Sequence, residues 1–194
     1  MGGLIAQRMA IDHPGRVRSL TLINTYSFLS LEYVCTLLGL TEDERGVLGK
    51  DGIAPENLGR ILDSRSARRD AGCADMMHKA AAVLFPDEDQ EIPKRLFFAD
   101  SILCESEKRL RDIQCAAYAF NSSTEIGAIS CPTLVLGSDR DISTILPFGT
   151  YLKRSIPGAA LEVIEGSNHY VSLDSHDALD RIIGKFLRSV SGSR

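Results

Sequence analysis

The sequence predicts an α/β fold, with a small parallel sheet covered by helices on both faces and a long helical insertion interrupting it. Three observations carry this reading. Short apolar runs rich in Leu, Ile, Val and Thr recur at 17–25, 131–138 and 159–164, the length and composition of buried strands. Helical patterning separates each run from the next, and parallel strands need such crossovers. The stretch between the first two runs, 26–126, is helical in character and is the only domain-like unit. The expected division is therefore a core of 1–25 with 127–194, and a helical insertion of 26–126.

Each element has a local cause. Residues 3–13 read as a helix, with Leu4, Ile5, Met9 and Ile11 supplying apolar positions and His13-Pro14-Gly15 stopping it. The strand at 17–25, VRSLTLINT, is too short for a helix. Gly2-Gly3 lacks the spacing of a phosphate-cradling loop, and close packing of helix on strand accounts for it better. Within the insertion, helices are expected at 28–40, 41–48, 55–62, 75–85 and 94–120. Thr41-Glu42-Asp43-Glu44 has the form of a capping box. The run 64–69, SRSARR, reads as a solvated joint between two helices. The clearest strand is 131–138, where Pro132 stands at the mouth and its missing donor does little harm. A helix over 146–156, a Pro157-Gly158 turn and a strand at 159–164 follow. An amphipathic helix over 179–190 closes the chain, with Ile182, Ile183, Phe186 and Leu187 along one stripe.

Composition narrows the class. Of 194 residues, 44% are hydrophobic and 25% charged, with 16 Gly and 7 Pro. These proportions exclude collagen-like, low-complexity and disordered chains. A net charge of −4 gives no nucleic-acid footprint. Apolar stretches such as 80–85 are far too short to span a membrane. Five cysteines, Cys35, Cys73, Cys104, Cys115 and Cys131, lack the CxxC spacing of a zinc site. They are expected to be reduced thiols in a cytoplasmic setting. The chain opens on an apolar helical pattern, and no targeting segment is expected. No metal cluster and no nucleotide fingerprint is present, so no cofactor is expected.

Four segments carry the chemistry. The opening MGGLIAQRMAIDHPGRVRSLTLINT, the run CPTLVLGSDRDIST, the loop IEGSNHYVSLD and the closing DRIIGKFL occur in that order. Together they resemble the α/β-hydrolase superfamily of the cap-bearing, lactonase- and esterase-like type. There the first segment follows a Gly-x-Ser-x-Gly nucleophile, the second delivers the triad acid and the third its histidine. The resemblance covers about half the residues, at both ends; the insertion has no motif. It implies His169 as general base and Asp141 as its acid, with Asp139 the alternative two residues earlier. An ungapped match to the run Asp-Arg-Asp favours Asp141, whereas counting Gly-x-x-Asp from Gly137 lands on Arg140. The unused aspartate would serve the turn. His13, His78 and His176 read as ordinary histidines near helix ends and in the insertion.

A serine hydroxyl is a poor nucleophile until an imidazole takes its proton, and the imidazole needs a carboxylate to fix its tautomer. The order Ser, acid, His fits an acid at 141 and a histidine at 169. The nucleophile itself is missing. No Gly-x-Ser-x-Gly or Gly-x-Cys-x-Gly run occurs anywhere in the chain, and the family's serine would immediately precede Met1. Met1 would then be the oxyanion-hole position, but as a terminus it has an amine in place of an amide. Of about eight strands in the resembled fold, this chain would supply the last three. The strand at 17–25 would then expose its inner edge, and the polypeptide is expected to be unstable or sticky by itself.

The expected activity is that of the C-terminal part of an esterase or lactonase with a Ser-Asp-His triad, inactive as this chain alone. Its insertion would shape a pocket for a small apolar ester, lactone or related substrate. A non-catalytic homologue that binds a ligand or partner protein is the alternative. A half complemented by a second polypeptide is a third reading. Neither nucleic acid nor membrane is expected as a partner, and the sequence leaves the oligomeric state open.

Overall fold

Three strands form one parallel sheet in the computed structural model, which describes residues 1–48, 53–68 and 107–192. They are β1 (Leu20–Ile23), β2 (Thr133–Ser138) and β3 (Ala160–Ile164), in the order β1-β2-β3. Around them lie α1 (Gly2–Asp12), α2 (Leu31–Leu38), α3 (Glu42–Leu48), α4 (Pro55–Arg68), α5 (Glu107–Ala119), α6 (Leu146–Ser155), α7 (Val171–Asp174) and α8 (His176–Ser191). Among the described residues no helix is long and apolar enough to cross a membrane.

The central strand is buried along its whole length, which explains why its sequence does not alternate. Leu22 pairs with Val135, and Val135 with Leu161, so these side chains share a face. On that face Leu20, Leu22 and Val135 pack with Ala10 of α1, with Leu152 and Ile156, and with Ile126 and Ile129. The opposite face carries Leu134, Leu136 and Ile164 under Val171, Leu179, Ile182, Ile183 and Phe186. Helices thus cover both faces, as the sequence predicts. Leu187 is the exception in the predicted stripe of the last helix, being exposed.

Strand β1 is shorter than the expected 17–25. Val17 closes a 3-10 turn over Pro14–Arg16 by donating to the Pro14 carbonyl, and Asn24 leaves the extended region with φ 42°. Among the described residues β1 pairs only with β2, so its other edge has no strand beside it. Pro132 lies just outside β2, where its carbonyl accepts the Leu20 N–H at 2.9 Å and no donor is needed.

Gly3 is where α1 approaches the end of β1. A Cβ there would lie 2.5 to 2.8 Å from the Thr25 side chain, whereas one at Gly2 meets nothing within 4 Å. Gly3→Ala is expected to cost about 1–3 kcal/mol by forcing helix and strand apart. Gly2→Ala should be neutral or stabilising by up to about 1 kcal/mol. Urea denaturation of the two variants checks this, and equal midpoints would contradict it. Deeper in the same helix, Gln7 is fully buried. Its amide donates to the Tyr26 carbonyl at 2.8 Å and accepts the Ser122 hydroxyl at 2.9 Å.

The described residues form two compact units, one of 1–27 with 122–192, the other of 28–48, 53–68 and 107–121. The second unit has its own apolar cluster, built from Cys35, Leu40, Leu48, Leu58, Ile61 and Cys115. Helix α2 begins three residues later than its predicted start because Ser30 accepts the Tyr33 N–H as N-cap. It ends where Gly39 takes φ 56°. At the start of α3 the Thr41 N–H donates to Glu44 at 2.9 Å and the Glu44 N–H to the Thr41 hydroxyl at 3.3 Å, a capping box as read from sequence.

Two expectations need correction. Helix α4 runs on to Arg68, so the predicted joint at 64–69 is helical through residue 68. Ser, Arg and Ala are all tolerated in a helix, and nothing in SRSAR breaks one. The last helix starts at His176, not 179. The expected helix at 75–85, the first part of that at 94–120, and Cys73, Cys104 and His78 lie outside the described residues. Cys35, Cys115 and Cys131 are free thiols.

Candidate functional site

Because all three strands are parallel, their carboxyl ends open on one side, the usual position of a ligand crevice in such sheets. The register pairs Ser138 with Ile164, so the loops that follow β2 and β3 leave the sheet side by side. Backbone bonds then join them: the Asp139 N–H donates to the Ile164 carbonyl and the Arg140 N–H to the Ser167 carbonyl. Asp141 lies on the first loop and His169 on the second.

These two side chains meet. His169 Nδ1 lies 2.8 Å from Asp141 Oδ2. An ionised carboxylate only accepts, so Nδ1 carries the proton and Nε2 keeps a lone pair in the neutral ring. The Asp141 side chain is fully buried, while the imidazole remains partly exposed. Its edge stands against Tyr170, with centroids 5.3 Å apart and ring planes at 84°.

The carboxylate is held on both oxygens. Oδ1 accepts the Ser143 N–H at 2.7 Å and the Thr144 N–H at 2.9 Å, while Oδ2 accepts the Thr144 hydroxyl at 2.5 Å beside the imidazole. The same hydroxyl lies 3.2 Å from His169 Nδ1. Burial pushes the Asp141 carboxyl up, but hydrogen bonding to His169 and the charge of that ring, with the Thr144 bonds, outweigh it and hold the carboxyl below its ordinary 3.8. A depressed carboxyl stabilises the fold above the unfolded value and loses that contribution as pH falls through its folded one. The gap in melting temperature between the protein and Asp141→Asn is therefore expected to be full near pH 6 and to close below about pH 4. A gap that stays constant to pH 3 would contradict this.

Asp139, the alternative acid, accepts the Gly166 N–H at 2.7 Å, where Gly166 takes φ 74°. No hydrogen bond joins it to His169 among the described residues. Asp174 clamps the other end of the histidine loop through the Ser167 hydroxyl at 2.7 Å and the Asn168 N–H at 2.8 Å. Met1 is the N-cap of α1, its carbonyl accepting the N–H groups of Leu4 and Ile5. Among the described residues no hydrogen bond joins Met1 to Asp141 or His169. His13 follows α1 and His176 opens α8, both exposed. No group of three His, Cys, Asp or Glu side chains among the described residues could hold a metal ion.

Sequence reasoning missed Thr144 and Asn24. Thr144 had a local signal, since an Asp whose side chain caps the N–H groups two and three residues on is a common turn. Asn24 had none, because its partners lie 114 to 145 residues away.

No family model matches the sequence. Over 191 residues it is 28% identical to the pimeloyl-[acyl-carrier protein] methyl ester esterase of Neisseria meningitidis serogroup A (strain Z2491), covering 98% of this chain and 55% of that protein. The chain thus spans little more than half the length of that relative. Among solved structures it resembles the enol-lactonase from Burkholderia xenovorans LB400, with a TM-score of 0.70 and 19% identity over 97% of this chain and 63% of that one. It also resembles MGS-M2, an α/β-hydrolase enzyme from a Medee basin deep-sea metagenome library, with a TM-score of 0.64 and 16% identity over 96% and 62% of the two chains. At such identities the likeness speaks for architecture. With its three parallel strands between two helical layers, the chain has the fold of the α/β-hydrolase superfamily, over the part of that fold its residues span.

Proposed function

We propose that this chain carries the acid and base of a serine-type hydrolase that cleaves a small apolar ester or lactone. The observation that supports this most is the 2.8 Å contact of His169 Nδ1 with the buried Asp141 carboxylate at the carboxyl ends of the strands. An esterase and an enol-lactonase among the similar proteins agree with it. In this reading Nε2 of His169 removes the proton of a nucleophilic hydroxyl as its oxygen bonds to the substrate carbonyl carbon. The imidazolium, stabilised by Asp141, then protonates the leaving alkoxide as the acyl bond breaks. Water, deprotonated by the same nitrogen, releases the acid and restores the hydroxyl.

The nucleophile is expected on a Gly-x-Ser run immediately before Met1, which the 194 residues do not contain. The second reading is a homologue that binds a ligand or partner without turnover. Hydrolysis of p-nitrophenyl acetate and butyrate separates the two, measured on the 194 residues and on the longest in-frame reading frame that contains them. The first reading expects turnover only where Gly-x-Ser is encoded, and its loss in His169→Ala. A reading frame with Gly-x-Ser that is silent on esters and lactones alike would sink it.

A further inference from the structure

Asn24 ends β1 in a conformation few residues accept, with φ 42°. Asparagine is one of the few L-residues that visit positive φ at modest cost. Its side chain is buried and reaches both neighbouring elements. Nδ2 donates to the Ser138 hydroxyl at 2.9 Å, to the Asn168 carbonyl at 3.1 Å and to the His169 carbonyl at 2.9 Å. Two hydrogens serve three acceptors, so one is shared. Carbonyls cannot donate, which fixes the amide orientation. Oδ1 points the other way, buried and without a partner among the described residues. Asn24 is further tied to β2 by its backbone N–H, which donates to the Leu136 carbonyl at 2.9 Å.

One amide group therefore joins the ends of β1 and β2 to the loop after β3, and it grips that loop at the carbonyl of His169 itself. Other side chains fail on one count or another. Asp has no donor, Ser and Thr have a single one, Gln is a carbon longer, and Ala supplies nothing. The imidazole can face Asp141 only if its backbone is held, and the other bonds that hold this loop, from Asp139 to Gly166, from Asp174 to Ser167 and Asn168, and from the Arg140 N–H to the Ser167 carbonyl, do not reach the backbone of His169.

We infer that Asn24 is a positioning residue for His169, fixing the backbone from which the imidazole reaches Asp141. The inference rests on the functional reading above for its catalytic consequence, though not for its structural one. Asn24→Gly tests it without backbone strain, since glycine accepts positive φ freely and only the side-chain bonds are lost. Asn24→Asp keeps the shape but sets a carboxylate against two carbonyls, and serves if the glycine variant does not fold. Leu22→Ala is the control for general destabilisation. The readouts are the low-field proton resonance of His169 Nδ1–H, and kcat and KM for p-nitrophenyl butyrate in the nucleophile-bearing reading frame.

Loss or broadening of the resonance in Asn24→Gly but not in Leu22→Ala, with kcat down ~10–100-fold and KM within about twofold, is the expected result. An unchanged resonance in Asn24→Gly would overturn the inference whether or not any ester is hydrolysed. If the resonance is lost while no form of the protein, wild type included, turns over an ester, the positioning role stands and the hydrolase reading falls.

Discussion

Replacing His169 with alanine is expected to lower kcat/KM for p-nitrophenyl butyrate by about 10³-fold or more in the nucleophile-bearing reading frame, and Asp141→Asn by a similar factor. The two losses have different causes. Alanine removes the base. Asparagine keeps the base in place but reverses its protons. The N–H groups of Ser143 and Thr144, at 2.7 and 2.9 Å from Oδ1, would hold the new amide oxygen on their side. That forces the NH₂ toward His169 Nδ1, which must then accept, so the ring proton moves to Nε2 and the nitrogen facing the substrate can no longer take one. Asp139→Asn should leave turnover within about threefold, since its role is one hydrogen bond to Gly166. If Asp139→Asn proves the crippling change and Asp141→Asn the mild one, the acid is assigned to the wrong loop residue.

Leu22→Ala should be the most damaging change to stability, at roughly 3–5 kcal/mol. Leu22 is 0% exposed, sits mid-strand in β1 and packs between α1 and the sheet, in a cluster that includes Leu20, Val135 and Leu152. Both the transfer of three carbons' worth of contact and the cavity left behind contribute, because strand and helices are tied by hydrogen bonds and cannot collapse inward. For a chain of this size the loss corresponds to a fall in melting temperature of about 10 °C. Val163 on β3 is 38% exposed, and Val163→Ala should cost less than about 1 kcal/mol. Thermal melts of both variants check the contrast. A Leu22→Ala protein melting within about 2 °C of the parent would mean that this face is not a packed core.

Most of the architecture was legible because its causes are local. Runs such as TLVL announce a buried strand, and Thr41 with Glu44 announces a helix start. The order of Asp141 and His169 along the chain, once set beside the hydrolase motifs, was enough to pair them. What could not be read depends on what lies opposite. Residues 64–68 look like a joint by charge, yet none of them breaks a helix, and α4 runs on through them. The start of α2 is set by the Ser30 cap, while the apolar pattern alone extends the helix back to Phe28. Strand β1 stops at Ile23 because Asn24 turns to meet a loop more than 140 residues further on, and no window of sequence contains both.

The point at which the second unit interrupts the first has a consequence for how such a protein can change. The Ser122 N–H donates to the Ser27 carbonyl at 2.8 Å, and Phe28 bridges Asn121 in antiparallel fashion. Among the described residues the chain leaves the sheet unit after Ser27 and rejoins it at the adjoining Ser122, as at the base of a hairpin. Lengthening or shortening the chain between those two serines alters its closure entropy only slowly, by about 0.6 kcal/mol for each doubling of length. None of the strand pairings or the Asp141–His169 contact crosses that seam. Changes of length between those serines are in this sense inexpensive for the strand pairings and for the acid and base.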